Sequence, residues 1–75
     1  MNAKRRKEII KISQEIELCV DKLRDVLDEE QDCYSNMPEN LQGSDRGIES
    51  EEAQNCLEEA IESLEEAIIT LEDIN

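Results

Sequence analysis

The sequence has no histidine, phenylalanine or tryptophan, and it contains only one tyrosine, one proline and two glycines. Without histidine, the chain lacks the side chain that most often transfers protons near neutral pH. Two separated glycines cannot form the glycine-rich loop that cradles phosphate groups. Residues 28–39 space their acids like a calcium-binding loop, but Cys33 stands where that loop requires glycine. We therefore expect a protein that is not an enzyme and that holds no cofactor or metal.

The sequence contains three cysteines, Cys19, Cys33 and Cys56. They form no C-x-x-C pair, and no secretory or transmembrane stretch accompanies them. An odd number of cysteines outside a secretory context indicates reduced thiols in a cytosol. At helical core spacings, a cysteine usually acts as a small apolar filler. A redox staple between Cys33 and Cys56 is the alternative, since a hairpin would bring them near one another. We expect a cytoplasmic protein that does not enter membranes.

Charge is distributed very unevenly along the chain, whose formal net charge is −13. Residues 1–11 hold five basic residues and one acid, a local net charge of +4, whereas residues 25–75 hold 17 acids and the single base Arg46. Such an acidic body repels nucleic acid and anionic membranes and attracts basic protein surfaces. The basic start, KRRKEIIK, lacks the interleaved aromatic residues of a nucleic-acid site. We expect it to offset acids of its own chain, among them Glu65 and Glu72.

Two segments place apolar residues at alternating steps of three and four. The first contains Ile9, Ile12, Ile16, Cys19, Leu23, Val26, Cys33 and Met37, interrupted only by Glu30. The second contains Ala53, Leu57, Ala60, Leu64, Ala67, Leu71 and Ile74. This spacing is typical of the a and d positions of heptad repeats, and residues 3–34 contain no glycine or proline. The pattern predicts long helices at residues 3–35 and 45–75.

The segment YSNMPENLQGSDRG between these helices carries turn signals and predicts a turn at residues 36–44 that includes a short helical turn. Pro38 suits the first position of that helical turn, and Gly43 could take a positive φ at a bend. Ser44 is a candidate N-cap of the second helix, with Ser50 as the alternative. A short connection between two helices of similar length predicts an antiparallel hairpin.

The apolar stripe is wider than one two-helix seam requires, because the e positions are apolar as well. These positions hold Val20 and Leu27 in the first helix and Ile61 and Ile68 in the second. Small domains usually need a staple or oligomerisation for stability. We therefore expect an all-α single domain, an antiparallel two-helix hairpin with coiled-coil packing, that forms a homodimeric four-helix bundle through these four residues. A bound partner helix or groove is the alternative.

The loop end of the hairpin is the predicted contact site for a partner protein, since it gathers many acids around one base. The candidate contact residues are Tyr34, Met37, Leu41, Arg46, Asp28, Glu29, Asp32, Glu51 and Glu52. The uncharged members and Arg46 could instead serve only to close the hairpin. Glu30 occupies a core position, and we expect it to lie at a hydrated end beside Ser50 or Gln54, where it sets the register.

Three motifs at the loop end carry a resemblance to a known group of proteins: DEEQ at 28–31, YSNMPENLQ at 34–42 and SDRG at 44–47. With them the chain resembles small, acidic, helical-hairpin proteins encoded by bacteriophages and prophages, mostly of unassigned function. The likeness covers most of the chain, although Cys33, Ile48 and Cys56 depart from it. The resemblance implies a mobile-element origin and a bacterial cytosol, and small acidic phage proteins often bind and block a host defence or transcription component. The acidic charge of the chain favours a partner with a basic surface, with DNA mimicry as one form. We therefore expect binding that inhibits a host protein concerned with defence or nucleic acid. A self-associating scaffold or assembly protein is the alternative.

Overall fold

The computed structural model describes residues 1–74, and all of its regular secondary structure is helical. Helix α1 spans Ala3–Ser35, α2 spans Glu39–Gln42 and α3 spans Asp45–Glu72. The two long helices pack against each other in a narrow hairpin that measures 58 × 15 × 12 Å. The predicted all-helical hairpin is thus confirmed. No helix within residues 1–74 combines the length and apolarity needed to cross a lipid bilayer.

The helix ends follow from local side-chain and backbone hydrogen bonds. Asn2 is the N-cap of α1, and its side-chain oxygen accepts a hydrogen bond from the Arg5 amide at 2.8 Å, which satisfies one orphan donor of the first turn. Pro38 cannot donate to the preceding turn. It has an extended backbone, with φ −57° and ψ 147°, and precedes α2 instead of opening it as predicted. α3 ends at Glu72, short of the predicted end, and Asn75 lies outside the described residues.

The interface between α1 and α3 uses heptad positions a and e, not a and d. On α1 the buried and half-buried side chains at this spacing are Ile9, Ser13, Ile16, Val20, Leu23, Leu27, Glu30, Tyr34 and Met37. On α3 they are Gly47, Ser50, Gln54, Leu57, Ile61, Leu64, Ile68 and Leu71. The d positions consequently face solvent, including Ile12 and Val26, each 49% exposed. The predicted a/d seam is therefore correct for position a and wrong for position d, which position e replaces.

The same interface corrects the assignment of the e residues to self-association. Val20, Ile61 and Ile68 form the buried core of the hairpin itself, and Leu27 packs against that core. Their size explains the choice, because burial gains about 25 cal/mol for each Å² of apolar surface. The e rows hold branched Val, Leu and Ile, whereas the d rows hold mostly Cys and Ala, which would bury less surface. The side chains left for a second copy are therefore those of the d rows.

The neighbouring residues Ile68 and Ile69 offer a matched test of this core, since they are 7% and 60% exposed respectively. We expect Ile68→Ala to lower the free energy of unfolding by about 2–4 kcal/mol, because it leaves a cavity beside Val20. Ile69→Ala should change the stability by less than about 0.5 kcal/mol. Urea unfolding followed by circular dichroism, at equal protein concentrations, measures both. Equal losses would contradict the a/e seam.

Candidate functional site at the loop end

Close contact between α2 and the first turn of α3 shapes the loop end. Gly47 is buried, and a Cβ atom placed on it would lie 2.0 Å from the backbone oxygen of Gln42. Gly43, by contrast, has a φ of −86° and open space around it, so it does not supply the predicted positive φ. The position that requires glycine is therefore Gly47. A glycine inside a helix, where it costs about 1 kcal/mol relative to alanine, was the sequence signal for this close approach.

Gln42 ties α2 to the end of α1. Its side-chain amide nitrogen donates hydrogen bonds to the backbone oxygens of Tyr34 at 3.0 Å and Met37 at 3.3 Å. Tyr34 lies in the last turn of α1, and its carbonyl oxygen also accepts from the Met37 amide at 3.1 Å, so the Gln42 amide reinforces the bend that follows the helix. Ser44 is at the predicted N-cap position of α3, but its hydroxyl donates to the Leu41 carbonyl and makes no capping bond. Gln42 was not among the predicted site residues.

Tyr34 and Glu51, both predicted contact residues, bind one another across the hairpin. The half-buried Tyr34 donates its phenolic hydroxyl to the Glu51 carboxylate, which links the last turn of α1 to the start of α3. This hydrogen bond, then the partial burial of the phenol and the negative charge of Glu51, raise the pKa of Tyr34 above its ordinary value of 10.0. These two side chains therefore close the hairpin, and the polar group of Tyr34 is already satisfied.

Glu30, the polar residue at a core position, is also satisfied within the chain. The Ser50 hydroxyl donates to its carboxylate at 2.7 Å, and the Gln54 side chain donates to the Ser50 oxygen at 3.3 Å. An unpaired buried carboxylate would be strongly destabilising, so these partners permit Glu30 to remain half-buried. The expectation that Glu30 lies beside Ser50 is confirmed.

The remaining candidate residues form the surface of the loop end. Exposed at this surface are Asp28, Glu29, Asp32, Leu41, Arg46 and Glu52, whereas Met37 is half-buried. Met37 and Arg46 line a shallow groove of about 330 Å³ together with Glu30, Cys33, Glu49, Ser50 and Ala53. Within residues 1–74 no three acids or cysteines converge closely enough to hold a metal ion. The acids therefore surround the tip with negative charge, a surface suited to basic groups.

Sequence reasoning missed one further exposed apolar residue at this end, Ile48. It is 47% exposed, and Leu41 is 38% exposed, so two large apolar side chains stand among the acids. Ile48 departs from the heptad rows that pack in the hairpin, and that departure was the signal for an exposed contact residue. Apolar patches rimmed by polar residues mark protein-binding surfaces, whereas single exposed apolar side chains are ordinary, so Ile48 counts as a contact residue together with Leu41.

The basic start of the chain lies at the other end of the hairpin. Within residues 1–74 the one ion pair joins Arg24 to Glu65 at 2.8 Å, although Glu65 was expected to lie beside the basic start. Both side chains are about half exposed, so the pair adds at most about 1 kcal/mol to stability. The basic side chains of residues 1–11 are all exposed. This segment is available to acids outside its own hairpin.

Comparison with known proteins identifies no family for this chain. No family model matches the chain, and no curated protein or solved structure matches it significantly. The resemblance to phage-encoded hairpin proteins therefore stays a prediction. The surface of the loop end and the exposed d rows are the features from which a function can be inferred.

Gly47→Ala and Gly43→Ala test the contact between α2 and α3. We expect Gly47→Ala to destabilise the hairpin by about 1–3 kcal/mol, because its methyl group meets the Gln42 backbone, which cannot move aside as a flexible side chain could. Gly43→Ala should be neutral or stabilising by up to about 1 kcal/mol, since its φ suits alanine. Urea unfolding compares them, and equal effects would contradict the close approach.

The single tyrosine allows its ionisation to be followed alone, by absorbance near 295 nm. We expect the midpoint to lie above 10.0 in the wild type and to fall in Glu51→Gln, while the control Glu52→Gln leaves it in place. A pKa raised on folding makes this contribution to stability complete below pH 10 and lost as the pH rises through the folded pKa. An unchanged midpoint in Glu51→Gln would exclude the Tyr34–Glu51 bond.

Proposed function

We propose that this protein is a non-enzymatic, phage-type protein of the bacterial cytoplasm that binds a basic surface of a host protein with its loop end and inhibits it. The observation that carries the proposal is the pairing of exposed apolar side chains, Leu41 and Ile48, with a surrounding field of acids. Acids attract and orient a basic surface over long range, and apolar side chains stabilise the complex after contact. The fitting target is therefore a protein that handles nucleic acid or takes part in host defence.

The distribution of charge within the loop end supports one contact surface there. Asp28, Glu29 and Asp32 are exposed on the last turns of α1, and Glu49 and Glu52 are exposed on the first turns of α3. None of them takes part in the hydrogen bonds that close the hairpin, whereas Tyr34, Glu51 and Glu30 do. Binding through the free acids would leave the fold unchanged, as expected for an inhibitor that acts by covering a surface.

DNA mimicry places a further demand on the density of charge. Duplex DNA carries one negative charge per about 1.7 Å of helix axis. One hairpin spreads a net charge of −13 over a length of 58 Å, which is less than half that density. Two hairpins side by side would double the charge over the same length. A mimic of duplex DNA would therefore require a pair of chains, whereas a general basic surface requires only one.

A self-associating scaffold is the second candidate, and the exposed d rows favour it. Ile12 and Val26 are both 49% exposed, and the core of the hairpin buries three apolar side chains within the described residues 1–74. A scaffold would use these rows for assembly and would need no acidic loop end. The two functions therefore depend on different surfaces, which substitutions can separate.

Capture from a bacterial lysate tests the proposed function. We expect the immobilised chain to retain one host protein that leaves between about 0.1 and 0.5 M salt, because exposed charge pairs are screened over this range. Mass spectrometry would identify it, and an assay of its activity with and without the chain would measure inhibition. Recovery of the bait alone, or release that is independent of salt, would contradict binding through the acids.

Charge-matched variants locate the contact surface. We expect the triple variant Asp28→Asn, Glu29→Gln, Asp32→Asn to weaken the captured protein's binding at least about 10-fold, as does Leu41→Ala with Ile48→Ala. The control triple variant Glu58→Gln, Glu59→Gln, Glu62→Gln removes the same charge from the middle of α3 and should retain binding. Circular dichroism checks that all variants stay helical. Equal losses in the two triple variants would exclude the loop end as the site.

A further inference from the structure

We propose that the exposed d rows of α1 and α3 form one face, the d face, that packs against the d face of a second copy in antiparallel orientation. The d face consists of Ile12, Cys19, Val26, Cys33, Ala53, Ala60 and Ala67, all exposed in the hairpin. The product is a four-helix bundle in which α1 lies against α1 of the second copy. This inference does not rest on the proposed function, because the d face contains neither the free acids of the loop end nor Leu41; those acids enter only in the choice of orientation.

The two d rows lie on the same side of the hairpin. When two antiparallel helices share an a/e seam, position d of each helix flanks the seam on one side and position b flanks it on the other. Accordingly, Cys33 of α1 and Ala53 of α3 line one groove. The b residues Arg24 and Glu65 form their ion pair and line a different groove together. The d face is therefore one continuous surface.

From Ile12 to Cys33 on α1 and from Ala53 to Ala67 on α3 the d rows are uncharged, although 39% of the chain is charged; Arg5 and Arg46 continue these rows at their ends. On α3 the next row out is uncharged and exposed at Cys56, Ser63 and Thr70 but begins with Glu49, whereas on α1 the next row out is charged, with Glu15, Lys22 and Glu29. The acids of α3 from Glu51 onward all occupy positions b, c and f, away from this face. The d face is therefore an uncharged strip bordered by charged residues, which is the pattern of a seam between packed helices.

The spacing of the d face makes it complementary to itself. Ile12 and Cys33 lie equally far in sequence from the point between Lys22 and Leu23, and so do Cys19 and Val26. A two-fold axis at that point therefore places each large side chain of α1 opposite a small one of the second copy. Such alternation of large and small residues is what close packing of facing helices requires.

The row on α3 has the same centre. Ala60 and Ala67 lie equally far from the point between Ser63 and Leu64. The Arg24–Glu65 ion pair joins two residues that each lie within two positions of these centres. The two centres are therefore at nearly the same height along the hairpin axis, within about one helical turn. One two-fold axis perpendicular to the helices therefore relates both rows to their copies, and a symmetric pair of this kind closes without leaving a free face.

Charge selects the antiparallel orientation. The antiparallel orientation brings the exposed basic start of one copy, with its local charge of +4, against the acidic loop end of the other. A parallel pair would place the two acidic loop ends side by side. The antiparallel pair also places like charges near one another: Glu15 of one copy beside Glu29 of the other, and Lys22 beside Lys22 of the other. These side chains are exposed, so water and salt screen the repulsion between them.

The dimensions of the face fit a stable dimer. The hairpin is 58 Å long and 15 Å wide, so the area of the face is comparable with the roughly 800 Å² per partner that a standard stable interface buries. An antiparallel pair aligned at its centres would cover the face along most of that length. The core of one hairpin contains three buried apolar side chains within residues 1–74. Dimerisation would add the buried d rows of α1 and α3 to it.

Disulfide crosslinking tests the face and the orientation together. All proteins carry Cys33→Ser and Cys56→Ser, which leaves Cys19. We expect Val26→Cys to give a covalent dimer on mild oxidation, since that position lies opposite Cys19 of the second copy. Within one chain, positions 19 and 26 are about 10 Å apart along the helix, too far for a disulfide, whose Cα atoms lie within roughly 7 Å. The bond can therefore form only between copies.

Two controls decide the alternatives. Ala67→Cys would pair with Cys19 of a second copy in a parallel dimer, and we expect little crosslinking from it. Leu18→Cys, at an outward position 62% exposed, should also give little. Crosslinking through Ala67→Cys in place of Val26→Cys would overturn the proposed orientation. Equal crosslinking in all three would indicate random collision and overturn the proposed face.

Sedimentation equilibrium supplies a second readout without cysteine chemistry. We expect the wild type to have twice the chain mass of 8.6 kDa at micromolar concentration. Val26→Glu should raise the dissociation constant of the dimer at least ~100-fold, because each copy would bury one unpaired carboxylate in the interface. Ile69→Glu, on the outer surface, should leave the dimer intact. A wild-type mass of one chain from 10 μM to 1 mM would overturn the proposal.

Discussion

The contact between the e rows of α1 and α3 holds this molecule together. Within residues 1–74, Val20, Ile61 and Ile68 are the apolar side chains buried there, beside the buried Ser13, and the three cysteines are exposed and form no disulfide that could replace them. This contact fixes the register in which α1 and α3 lie side by side. Only in that register does Ser50 reach Glu30 and Tyr34 reach Glu51. The polar bonds at the loop end are therefore consequences of the apolar seam.

The same seam divides the surface of the hairpin into two regions with different uses. Because positions a and e are consumed within the chain, the d rows are exposed on one side, while the acids of α3 occupy the remaining positions. An apolar face suits a second copy of this chain, and the acidic loop end suits a basic protein. In the proposed antiparallel pair the basic start of one copy lies against the loop end of the other, so pairing of two hairpins and binding of a basic protein would draw on the same acids.

Local sequence patterns predicted the helices and the hairpin correctly, because heptad spacing and the Pro38 turn act over a few residues. Which two of three apolar rows pack together depends on the total surface buried between distant segments, and the larger e side chains, such as Ile61 and Ile68, decided it. The Glu30–Ser50 bond was predictable, since both residues are polar at facing core positions. The requirement for Gly47 arises from the approach of α2 in space, which no spacing rule encodes.

The small number of buried side chains also determines how the hairpin responds to temperature. The heat capacity of unfolding rises by about 0.45 cal/K/mol for each Å² of apolar surface that becomes exposed, and globular domains reach 12–15 cal/mol/K per residue. Ile10, Leu18 and Ile69 lie outside the d face and are 59%, 62% and 60% exposed when folded, so this hairpin has less apolar surface to release. Its stability curve is therefore flatter than that of a globular domain, and its thermal unfolding extends over a wide temperature range.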